Sequence, residues 1–138
     1  MQAWAGESKP LNILLIEDDA IEVMKFNRVL ANLHQVHKII EANNGEEALE
    51  ILKNKVIIPD IIVLDLNMPK INGFETTKLI RNKGYTIPII AVTAFEKEEV
   101  QERAKLSGID DIIAKPFDTR KLFQMIRFHI NLKEKEQV

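Results

Sequence analysis

The chain has 138 residues and not one cysteine, which excludes a disulfide framework, a zinc ribbon and a thiol nucleophile together. It also lacks an excess of either charge: 19 basic residues face 21 acidic ones, for a formal net charge of −2. The basic face that announces a nucleic-acid partner is therefore not expected. Long apolar runs are missing too, since stretches such as the one beginning at Ile61 fall far short of the roughly 20 residues that cross a bilayer. Met1 to Pro10 is polar, with no charged start leading into an apolar segment, and does not read as a secretion signal. With five glycines and five prolines, nothing is collagenous or low in complexity. What remains is 46% apolar and 29% charged residues, a balance that argues against disorder. A chain this long suits one domain that buries roughly 70% of its unfolded surface. The expectation is a soluble, cytoplasmic single domain with no direct nucleic-acid or membrane contact.

Strand-like and helix-like segments alternate from end to end. Leu11 to Ile16 is an apolar run of strand length, and Ile21, Val23, Met24, Leu30 and Leu33 follow at helical spacing. His37 to Glu41 reads as a second strand, Asp60 to Asp65 as a third, Ile89 to Thr93 as a fourth and Asp111 to Lys115 as a fifth. Asn43-Asn44-Gly45 and Asn72-Gly73 introduce the second and third helices. A charged helix is expected from Glu96 to Ser107, stopped by Gly108, and Asp118 caps a last helix reaching Leu132. Five strands alternating with five helices imply βαβ units, right-handed crossovers and a mostly parallel sheet covered on both faces. The divisions expected are an N-terminal tail over 1–10, one domain over 11–133 and a charged C-terminal tail over 134–138.

Ligands of open α/β sheets bind outside the carboxyl ends of the strands. There this sequence puts Glu17-Asp18-Asp19, Asp65, Thr93-Ala94 and Lys115-Pro116. Clustered carboxylates are costly unless a cation shares the site. Hard oxygen ligands with spare water positions suit Mg²⁺. Lys115 and Thr93 add a positive charge and a donor, as phosphoryl transfer requires, and an ionised aspartate attacks phosphorus without a helper base.

These residues resemble the receiver domain of the two-component response-regulator family. The matching stretches are ILLIEDD, PDIIVLDLNMPKINGFE around Asp65, AVTA around Thr93 and DDIIAKPF around Lys115, in the family's order and spacing from Leu11 to Leu132. The resemblance implies a flavodoxin-like, doubly wound α/β fold of stand-alone type, its five parallel strands in the order 2-1-3-4-5 with five helices. It implies Asp65 as phosphoacceptor from a phosphohistidine on a histidine kinase or histidine phosphotransfer protein. Asp18 would ligate Mg²⁺ directly and Glu17 through water, with Asp65 and the backbone carbonyl of Asn67 completing the protein ligands. Lys115 would pair with the phosphoryl oxygens, Thr93 would swing toward them, Ala94 would keep that corner small, and the Lys115–Pro116 peptide would be cis. Asp19 is left to start the first helix.

The sequence departs from the family at Ile112, where an aromatic ring usually stands, so a muted or rerouted conformational switch is expected. Phe95 either shields the phosphorylation site from water or packs on the next helix. In the last helix Leu122, Ile126, His129 and Ile130 face the sheet, while Met125, Phe128 and Leu132 form a second stripe. In the resembled family helix 4, strand 5 and helix 5 form the usual output or dimer face, so the stripe is expected to serve a partner or dimer surface there, or to be simply shielded by charged neighbours. His34 and His37 lack the companions of a zinc site, and no role is assigned to Trp4. A flavodoxin-like electron carrier would need a phosphate-cradling turn where three acids stand. An aspartyl-phosphate phosphatase would carry an acid where Asn67 stands. The expected function is a non-enzymatic, phosphorylation-dependent switch or relay intermediate, limited to Mg²⁺-dependent self-phosphorylation and slow self-dephosphorylation. Its output goes through an unidentified protein. The alternatives are a receiver excised from a hybrid histidine kinase and a degenerate receiver that binds partners without phosphorylation.

Overall fold

The computed structural model describes residues 10–33, 36–66, 72–94 and 97–136. Its elements run β1 (Leu11–Ile16), α1 (Ala20–Leu30), β2 (Val36–Ala42), α2 (Gly45–Asn54), β3 (Ile61–Asp65), α3 (Gly73–Asn82), β4 (Ile89–Thr93), α4 (Glu98–Ser107), β5 (Asp111–Ala114) and α5 (Thr119–Glu136). The strands pair in the order β2-β1-β3-β4-β5, every pair parallel. This is the doubly wound, flavodoxin-like α/β arrangement expected from the alternation and the resemblance.

The central strands are apolar on both faces because helices cover both. On one side Leu11, Ile13, Leu15, Ile61, Val63, Ile90 and Val92 pack with Phe26 and Leu30 of α1 and with Leu122, Ile126 and Ile130 of α5. On the other, Leu14, Ile16, Ile62, Leu64, Ile89 and Ala91 pack with Ala48 and Leu52 of α2, Ile80 of α3 and Ala104 of α4. Each fully buried Ile or Leu contributes about 1.5–3 kcal/mol, so truncating Leu64, which has no exposed surface, costs about 2–5 kcal/mol.

Capping determines where most helices start. The Asp19 carboxylate accepts from the N–H groups of Ile21 and Glu22, as its position before the helix led one to expect. Asn44 and Asn72 cap α2 and α3 in the same way, and Gly108 ends α4 in the left-handed region at φ 103°. Several boundaries differ from those read in the sequence: β2 is longer by one residue at each end, β5 stops at Ala114 rather than Lys115, and three others have a visible cause. Asp60 lies outside β3, where its carboxylate accepts from Asn12 N–H while its own N–H donates to Asn12 O, both at 2.8 Å. The described part of α4 begins at Glu98, after a Lys97 with extended backbone (φ −90°, ψ 148°). Helix α5 continues past Leu132 to Glu136, so 134–136 are helical; Lys133 Nζ secures that last stretch on Thr86, 3.1 Å from its carbonyl and 2.6 Å from its hydroxyl. In the β1–β2 pair, Leu11 faces Val36 but Asn12 faces Lys38, so the additional residue, His37, is absorbed at the amino end and the register is regular from there on.

Candidate functional site

Strand register brings the expected residues to one place. Ile16 is level with Leu64, so Glu17 emerges beside Asp65. Asp65 is level with Val92, and Thr93 with Ala114, so Lys115 leaves β5 one residue beyond Thr93. The Lys115 N–H extends that pairing to Thr93 O at 2.7 Å, and the Lys115–Pro116 peptide is cis. Glu17, Asp65 and Thr93 are each only 2% exposed.

Lys115 Nζ donates to Asp65 Oδ2 at 2.7 Å and to Glu22 Oε1 at 3.2 Å. Its pKa is raised: burial alone would lower it, but the hydrogen bond and charge of Asp65, followed by those of Glu22, outweigh that. Glu17 is pushed up to about 9, first by burial, then by a hydrogen bond to Asp65 and by the Asp65 charge. With no metal cation beside it, Glu17 therefore favours its protonated form.

One carboxylate oxygen from each of Glu17, Glu22 and Asp65 lies within 4.8 Å of the others. Asp18 does not join that trio; both of its carboxylate oxygens are buried, and neither they nor Glu17 Oε1 has a hydrogen-bond partner among the described residues. Buried, unmatched carboxylate oxygens are costly, and an all-oxygen anionic donor set fits a hard divalent cation. Asn67 and Phe95 lie outside the described residues, as do His34 and Trp4.

The pattern of strand ends did not point to Glu22. With Asp19 as the cap, Glu22 stands in the first turn of α1, where an acid is ordinarily explained by the helix dipole. That turn starts at the carboxyl end of β1, which was the available signal. Beside it, Glu22, Phe26, Lys115, Pro116 and Phe117 line a cavity of about 360 Å³.

Ile112 is level with Ala91 and packs, half-buried, against the core beside α2, α3 and α4. Of the second α5 stripe, Met125 turns in against the core, whereas Phe128 is 59% and Leu132 44% exposed. His129 is buried as expected, its Nε2 2.9 Å from Asp111 Oδ2. His37 is exposed on edge strand β2.

The family model for the response regulator receiver domain matches residues 13–127. Over 128 residues the chain is 34% identical to hybrid signal transduction histidine kinase I of Dictyostelium discoideum, covering 88% of this chain but only 7% of that kinase. It is 28% identical to the polar-differentiation response regulator DivK of Brucella anthropi, covering 88% of this chain and 97% of DivK. The Mn²⁺-bound form of response regulator Rcp1 superposes with a TM-score of 0.68 at 26% identity, over 85% of this chain and 89% of that one. The chain belongs to the response regulator receiver domain family. Receiver domains are phosphoryl-accepting signalling switches that bind a divalent metal at an acidic pocket and interact with histidine kinases and phosphotransfer proteins.

Proposed function

We propose that Asp65 accepts a phosphoryl group from a phosphohistidine of a histidine kinase or phosphotransfer protein, making the domain a phosphorylation-dependent switch or relay intermediate. The observation that carries this reading is the 2.7 Å contact between Lys115 Nζ and Asp65 Oδ2 inside a buried acidic pocket. An Asp65 carboxylate oxygen attacks phosphorus, the P–N bond breaks, and the departing imidazole keeps the electron pair and takes a proton. Lys115 transfers from the carboxylate to the phosphoryl oxygens, and Thr93, at the neighbouring strand end, donates its hydroxyl to them. Asp18, Asp65, Glu17 through water and the carbonyl of Asn67 would hold Mg²⁺, and Asp18 contributes buried oxygens that lack partners among the described residues. Bound there, Mg²⁺ supplies positive charge against the developing charge on the phosphoryl oxygens.

The domain turns over no free substrate in this reading; it phosphorylates itself from small donors and loses the group slowly by hydrolysis. Retention of Glu17, Asp18, Asp65, Thr93 and Lys115 disfavours a degenerate receiver. DivK, matched over nearly its whole length, supports a stand-alone regulator, and the hybrid kinase supports the second reading, a receiver from a larger chain. Among the described residues no helix is long and apolar enough to cross a membrane, and we place the domain in the cytoplasm. Ile112 provides no ring to rotate, so the change reaching the α4–β5–α5 face is muted. Exposed Phe128 gives that face an apolar contact for an output protein or a second copy.

The test is intact-mass measurement after incubation with Mg²⁺ and acetyl phosphate, beside Asp65→Asn. One phosphoryl group gained, dependent on Mg²⁺ and absent from the variant, is the expected result. No gain from acetyl phosphate or from phosphorylated histidine proteins overturns the reading.

A further inference from the structure

Glu22 lies outside the ligand set described above, yet it is the second acid on Lys115. One ammonium serves two carboxylates: Asp65 Oδ2 at 2.7 Å and Glu22 Oε1 at 3.2 Å. The other oxygen, Glu22 Oε2, pairs with Lys25 at 3.3 Å, but Lys25 is 69% exposed and such pairs contribute little. The contact with Lys115 is better shielded, with side chains 24% and 29% exposed. The Glu22 backbone is fixed by its N–H bond to the Asp19 cap at 3.1 Å, so the carboxylate is presented to the pocket from the first turn of α1. A phosphoryl group on Asp65 brings oxygens that need this same ammonium, next to a carboxylate of like charge.

We propose that Glu22 is a positioning residue that competes with the phosphoryl oxygens for Lys115 and so weakens the pocket's hold on a phosphoryl group. The inference deepens the reading of Asp65 as acceptor and rests on it. Glu22 seats Lys115 against Asp65 before the group arrives and draws it back afterwards, favouring the unloaded state.

The experiment titrates the full chain, at fixed Mg²⁺, with beryllium fluoride, which mimics a phosphoryl group on a carboxylate, using ¹⁹F NMR. E22Q is expected to bind it about two- to fivefold more tightly than wild type, as expected for a partly shielded ion pair, with the gap narrowing at high salt. E22D, which keeps the charge, stays near wild type. In a Lys115→Ala background, E22Q gains much less, because only the direct repulsion between Glu22 and the bound group is left to relieve. If binding by Lys115→Ala falls below detection, phosphoryl loading from acetyl phosphate, read by intact mass, gives the same comparison. Equal affinity in wild type and E22Q, or an unchanged gap without Lys115, overturns the proposal. Failure of the acceptor reading is separate: wild type would then bind no beryllium fluoride, or Asp65→Asn would bind it equally well.

Discussion

The two ends of the same sheet handle charge in opposite ways. At the amino end, Arg81 donates from Nε to Gly108 O at 3.0 Å, from one terminal nitrogen to Tyr85 O and Ile87 O, and from the other to Asp110 Oδ2 at 2.9 Å. Asp110 Oδ2 also accepts the Ile89 N–H at 2.8 Å. One cation and one anion offset each other while tying α3, β4 and the approach to β5 together. At the carboxyl end, one ammonium serves the carboxylates of Asp65 and Glu22 with a third acid, Glu17, close by, and among the described residues Asp18 has two buried oxygens without partners. The first cluster is complete and holds the fold. The second is short of positive charge, which suits a divalent cation; in the proposed reading that cation and Lys115 together offset the charge of a phosphoryl group. Similar polar residues thus serve stability at one end and ligand binding at the other, according to whether their bonds close within the chain.

Breaking the complete end should have the largest effect. Arg81→Ala leaves Asp110 with only its bond from the Ile89 N–H and takes the guanidinium donors from three backbone carbonyls, and is expected to cost about 2–3 kcal/mol, measured by urea unfolding. Next comes pH at the incomplete end. Because the folded-state pKa of Glu17 is raised to about 9 from an ordinary 4.5, its contribution is fully present below about pH 4.5 and is lost as pH rises toward 9. Metal-free wild type should therefore lose thermal stability across that window, and Glu17→Gln should remove much of the slope. Completing the cluster should stabilise it: Mg²⁺ at ten times its Kd adds about 1.4 kcal/mol, seen as a rise in Tm, and Asp18→Asn should abolish the gain. The smallest effect sharpens the contrast at the amino end. Lys133→Ala removes two exposed hydrogen bonds to Thr86 and should cost about 0.5 kcal/mol in the same urea assay, showing that closure of the Arg81 network matters more than the number of bonds.

Much of this was legible in the sequence, for identifiable reasons. Buried parallel strands leave runs such as Ile61 to Leu64, and caps such as Asp19, Asn44 and Asn72 mark helix starts, so element order and sheet class followed from local signals. The candidate site was legible because the ends of β1, β3, β4 and β5 each contribute a residue directly. Glu22 was not, because its part depends on how α1 is set against β5, across 93 residues of chain. The end of α5 was placed too early, at Leu132, for the same reason: Lys133 has its partner, Thr86, 47 residues away. Met125 and Phe128 looked equivalent in helical spacing, and only packing separates the core-facing residue from the exposed one.

The uneven β1–β2 pairing has a practical consequence. Its one spare residue, His37, is taken up at the amino end, so the strand tips from Ile16 and Ala42 onward stay level. A change of chain length just before Lys38 would be taken up at the same offset, leaving the regular pairing from Asn12–Lys38 to Ile16–Ala42 unaltered. The domain therefore offers a natural fusion point at the end opposite its chemistry.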